Sequence, residues 1–191
     1  MKFSQIVFLV SITTWVFPVI KQRNTDYFYF FFVLAMADPL RLLIYQLCGI
    51  LPISYFPLFS FLLILSLSKK KYYLFISAAA VILTLMPNIF HWPNNILYLI
   101  TTINHTVLLL IFINTIAGNL IKKKTVNLFM ILIIFYEIIT VYKLAAYIVN
   151  LNKGGISFYL GTAIQIGFGI LFSFINVRTK EFKLNQTGRK F

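Results

Sequence analysis

Between Phe3 and Val177 the chain is a succession of apolar runs, cut at short intervals by clusters of Lys and Arg or by turns rich in Pro, Gly and Asn. Runs of this length are too long for strands, and about 20 such residues in helix cross a bilayer. They cover 3–20, 27–48, 53–67, 72–86, 96–121, 125–149 and 156–177. The pattern predicts an all-α membrane protein: a seven-transmembrane helix bundle forming one integral membrane domain over 1–191, with 178–191 as a basic tail. Composition agrees, with 60% hydrophobic and 11% charged residues, where soluble domains carry about a quarter charged residues.

The first run follows Lys2 and resembles a secretion signal, but no small-x-small cleavage site follows it, so it reads as an uncleaved span ended by Pro18 and Lys21. The fourth run is short, about 22 Å of helix. It reaches across if Lys69 to Lys71 snorkel at one end and Asn88 to Trp92 extend it at the other.

Lys and Arg in short loops set orientation. Threading seven spans puts thirteen of the seventeen basic residues on one side: Lys21, Arg23, Lys69 to Lys71, Lys122 to Lys124 and five in the tail. The other side receives Lys2 and Lys153, and Arg41 and Lys143 lie inside spans. The expected topology is therefore an outside amino terminus and a cytoplasmic carboxyl terminus. Heavy use of Phe, Ile, Lys, Asn and Tyr points to an AT-rich genome and a bacterial inner (plasma) membrane.

The net charge of +13 serves topology rather than nucleic-acid binding, because the basic residues sit at span ends. One cysteine, Cys48, excludes an intramolecular disulfide or a CxxC site. Two histidines, one of them (His91) in a loop, do not make a three-His metal site. No G-x-S-x-G motif occurs, and the last span has no lysine for a Schiff base. No catalytic residue, metal or cofactor is expected.

Polar residues inside the spans carry the functional signal. Asp38-Pro39-Leu40-Arg41 interrupts span two. A central Asp or Arg costs about 2.5 to 3.5 kcal/mol each on insertion, whereas each Leu, Ile, Phe or Val contributes about −0.3 to −0.6. The eleven such residues of the span leave it near break-even, so the charges need partners. Counted from the span ends, Asp38, Arg41, Asn104, His105, Glu137 and Gln165 fall in the midplane and outer half, on four different spans. Arg41 can pair with Asp38 or Glu137, and His105 or Gln165 can complete the hydrogen bonds. The functional reading is a polar site in which Arg41 holds an anionic group and Asp38 or Glu137 accepts a proton. The alternative is a ligand-free network that locks the bundle. Lys143 reads as an interfacial snorkelling lysine, and Pro39, which removes a backbone donor opposite Ala35, predicts a kink.

Span seven repeats Ser157, Gly161, Gln165, Gly169 and Ser173 every fourth residue, a face for close helix packing. Ser77 to Ala80 is a weaker sign of the same kind. A faint parallel relates spans one and two to spans five and six, each pair joined through a basic cluster and followed by a mid-span acid, Asp38 or Glu137. The expected activity is small-solute or ion transport with proton coupling, with the lipid bilayer, a small solute or ion and a membrane-protein partner or homo-oligomer as partners. The alternative is a non-catalytic receptor, sensor or structural subunit of a membrane complex.

Overall fold

The computed structural model describes residues 3–49, 52–67, 92–149, 156–175 and 181–183. Among the described residues six α-helices dominate: α1 Phe3–Lys21, α2 Phe28–Cys48, α3 Phe56–Ser66, α4 Asn94–Lys123, α5 Leu128–Ile148 and α6 Ile156–Phe174. The expected fourth span, with Lys69 to Lys71, Ser77 to Ala80 and His91, lies outside the described residues, as does the Asn152 to Gly155 turn.

The all-α expectation holds, with corrections at the edges. Two three-residue strands, β1 Thr125–Asn127 and β2 Glu181–Lys183, pair antiparallel, Val126 opposite Phe182. The start of the expected sixth span is thus extended, and part of the expected tail folds back onto it. Asn127 then starts α5, its side chain accepting from the Phe129 amide at 2.9 Å. The third span is a 3₁₀ turn, Pro52–Tyr55, leading into α3. Pro57 sits in the first turn of α3, where its missing N–H costs nothing. Neither Pro18 nor Pro39 ends its helix. Helix α2 stops at Gly49, whose φ of 69° lets its N–H reach the Tyr45 carbonyl at 2.9 Å.

Each helix packs on the next, and α6 packs back on α1, so the six close into a ring. Gln22 fastens one end: its Nε2 donates to the Ile175 carbonyl at 2.8 Å, tying the end of α1 to the end of α6. The β1–β2 ribbon lies at this same end, which also carries Lys21, Arg23, Lys122 and Lys124. Towards it the ring is filled by aromatic side chains. Phe30, Phe31, Phe129 and Phe172 are fully buried and Phe112 nearly so. Phe31 meets Phe172 at 5.2 Å and Phe129 at 5.8 Å, and Trp15 caps the layer, edge-on to Tyr136 at 5.4 Å.

The outside of the ring is apolar too. Leu47, Leu110, Ile121, Phe135, Tyr142 and Phe174 are among many large side chains left more than half exposed, far beyond the apolar patch a soluble monomer tolerates. Three helical stretches, Phe28–Leu47, Asn94–Lys122 and Leu128–Ile148, are long and apolar enough to cross a membrane; Leu9–Lys21, Ile53–Ser66 and Leu160–Phe174 are shorter apolar helices. Lipid is the environment this surface suits.

Candidate functional site

Above the aromatic layer, away from the basic end, the ring encloses a cavity of about 440 Å³. All six helices contribute, each through residues three or four apart. Helix α1 gives Val7, Ser11 and Trp15, and α2 gives Leu34, Ala37, Asp38 and Arg41. Helix α3 gives Phe56, Phe59, Ser60 and Leu63, and α4 gives Tyr98, Thr101 and His105. Helix α5 supplies Tyr136, Thr140, Lys143, Leu144 and Tyr147, and α6 supplies Thr162 and Gln165. The spacing is that of one helical face.

Asp38 and Arg41 lie one turn apart on α2 and form an ion pair. Arg41 Nε also donates to the Ala37 carbonyl at 3.3 Å, and its guanidinium lies 4.3 Å from the centre of the Phe56 ring. These contacts fix the planar group at the cavity wall. Phe56 packs on Tyr98, which stacks on Tyr147 at 5.1 Å, so an aromatic row crosses α3, α4 and α5 beside Arg41.

His105 and Glu137 form the second ionisable unit. His105 Nδ1 and Glu137 Oε2 are 2.7 Å apart, within hydrogen-bond distance. Glu137 is fully buried behind the histidine, and its Oε1 has no hydrogen-bond partner among the described residues. His105 itself lines the cavity. The imidazole therefore stands between the cavity and the carboxylate. Along α5, Lys143 is six residues past Glu137, about 9 Å of rise; the polar groups occupy two levels rather than a single depth.

Gln165 is in the wall, its Oε1 accepting from Lys143 Nζ at 3.1 Å. Lys143 is thus a wall residue with its stem half-buried, correcting its reading as a lysine snorkelling to the interface. Gly161 makes room for it, since a Cβ there would lie 3.0 Å from the Lys143 Cδ. Asn104 departs in the other direction. Its Nδ2 donates to Ser60 Oγ at 2.9 Å and to the Pro57 carbonyl at 3.3 Å, tying α4 to α3, and Asn104 itself does not line the cavity.

The small-residue face of α6 serves two neighbours rather than one. Gly161 approaches α5, whereas a Cβ on Gly169 would come within 2.8 Å of Thr14 Cγ2 on α1. Ser173 turns its hydroxyl back to the Gly169 carbonyl at 2.7 Å. The Ser157 side chain lies outside the described residues.

Sequence reasoning missed the aromatic row and most of the α5 wall. The signal was present: Tyr136, Thr140, Lys143 and Tyr147 recur at three- and four-residue intervals, a helical stripe of polar atoms on one face. Among the described residues no three His, Cys, Asp or Glu side chains gather as a metal site would require. No protein-family model, curated protein or solved structure matches the chain, so geometry alone carries the functional argument.

Proposed function

We propose that the protein is a seven-span bundle with its amino terminus outside and its carboxyl terminus in the cytoplasm, and that it is a non-catalytic carrier of a small solute or ion. The observation that carries this reading is the cavity that brings Asp38, Arg41, His105, Lys143 and Gln165 together inside an apolar shell. Ionisable groups are expensive in a membrane interior and gather where a substrate or proton must pass. The solute binds beside Arg41, and protonation of Asp38, or of Glu137 through His105, is coupled to its movement. The gathering of Lys21, Arg23, Lys122 and Lys124 at one end supports the orientation. The composition favours a bacterial plasma membrane.

Solute-driven proton flux in reconstituted vesicles tests the coupling. Asp38→Asn or Glu137→Gln should lower it at least tenfold in one of the two variants, whereas unchanged flux in both ends the proposal. A receptor or complex subunit is the second reading, favoured by the aromatic layer that closes the cavity towards the basic end. Stable co-purification with a large membrane partner would support that reading against the first.

A further inference from the structure

Resting on the carrier reading, we propose that the cavity takes a small organic anion with an apolar body about 10 Å long, its charged group between Arg41 and Lys143 and its body directed towards Trp15 and Tyr136. Charge is the first argument. Two cations, Arg41 and Lys143, line the cavity with one carboxylate, Asp38, while Glu137 lies behind His105. The lining itself thus sets two cations against one carboxylate, and an anion bound beside Arg41 and Lys143 offsets that local imbalance.

Donor geometry is the second. A guanidinium has five N–H groups in a planar fork. Arg41 spends Nε on the Ala37 carbonyl and one Nη2 hydrogen on Asp38, which leaves three of its five N–H groups on a residue that lines the cavity. The Phe56 ring under the guanidinium carbon helps hold the fork in place before a ligand arrives. A carboxylate or similar oxyanion matches such a fork.

Size and wall chemistry define the rest of the molecule. The volume of about 440 Å³ falls among pockets of roughly 300 to 1,000 Å³ that hold organic ligands, and a bare inorganic ion would leave most of it empty. Leu34, Tyr136 and His105 lie two helical turns below Arg41, Lys143 and Tyr98 on their respective helices, about 10 Å. Between these levels Thr101 and Thr140 turn their hydroxyl protons to the Leu97 and Tyr136 carbonyls, at 2.7 and 2.9 Å. Those protons are committed to the backbone, and Leu34, Phe59, Leu63 and Leu144 share the wall, so the space between the two levels suits a largely apolar body.

Trp15 lines the cavity and reports on its occupant. The experiment titrates the full-length Trp92→Phe protein in detergent with 4-phenylbutyrate, 4-phenylbutan-1-ol and 4-phenylbutylamine, reading Trp15 emission. Expected is saturable binding of the carboxylate at least tenfold tighter than the alcohol or the amine. Lys143→Gln should weaken the carboxylate at least fivefold and leave the alcohol unchanged. The headgroup series needs no variant at the site, so it stands even where a substitution disturbs folding. Equal binding of the three probes, tighter binding of the amine, or no saturable carboxylate binding overturns the proposal. Selective binding without uptake in vesicles removes the carrier reading and keeps the anion site. Proton-coupled uptake of a cation without carboxylate binding does the reverse.

Discussion

Below Trp15 and Tyr136 the interior of the bundle is a closed set of aromatic rings; above them the same six helices enclose a cavity with two cations, a carboxylate and a histidine. The lower half coheres mainly through ring packing, with polar ties such as Gln22 to the Ile175 carbonyl at its end. In the upper half the helices are joined by single polar links, such as Asn104 to Ser60, Lys143 to Gln165 and His105 to Glu137. Such links are worth little individually in a membrane protein, on average about 0.6 kcal/mol. Stability is thereby concentrated in one half and chemistry in the other, so the upper half can hold strained or exchangeable groups without unfolding the whole.

Truncation separates the halves most sharply. Phe31→Ala removes a fully buried ring that meets Trp15, Phe129 and Phe172, and should cost about 3 to 5 kcal/mol in equilibrium unfolding from micelles. Gln165→Ala in the upper half should cost less than about 1 kcal/mol in the same assay. Equal costs would break the comparison. A finer version uses two glycines of α6. A side chain at Gly169 meets Thr14 within a packed seam, so Gly169→Leu should destabilise by about 1 to 3 kcal/mol. Gly161→Ala meets only the flexible stem of Lys143 and should stay within about 0.5 kcal/mol.

Much of the lower level of organisation was legible in residue order. Apolar runs bounded by basic clusters located the helices, because helix length and bilayer thickness are tied together. The Asp38–Arg41 pair was legible since a three-residue spacing fixes neighbours on a helix. His105 with Glu137 was legible only as a coincidence of depth; which of several polar groups meet depends on helix rotation and neighbour order, and neither is written in one segment. Lys143 was misread because its long stem can reach the interface or turn inward, and Gly161 on another helix decides which. The aromatic row of Phe56, Tyr98 and Tyr147 was hidden among many other rings, with nothing local to mark it. The β1–β2 ribbon escaped because three residues are too few to show a two-residue period, and its partner lies far along the chain.

The central claim is a cavity carrying two cations and a carboxylate that lies away from the basic end, towards the face we propose to be the outer one, with aromatic rings between it and the basic end. Cysteine accessibility tests it most directly. In a Cys48→Ser background, Ala37→Cys places a thiol in the cavity wall and Phe172→Cys one in the aromatic layer. A membrane-impermeant methanethiosulfonate should modify Ala37→Cys in right-side-out vesicles at least tenfold faster than in inside-out vesicles, and should leave Phe172→Cys unmodified from either side. Faster modification of Ala37→Cys from the inside, or ready modification of Phe172→Cys, would contradict the account.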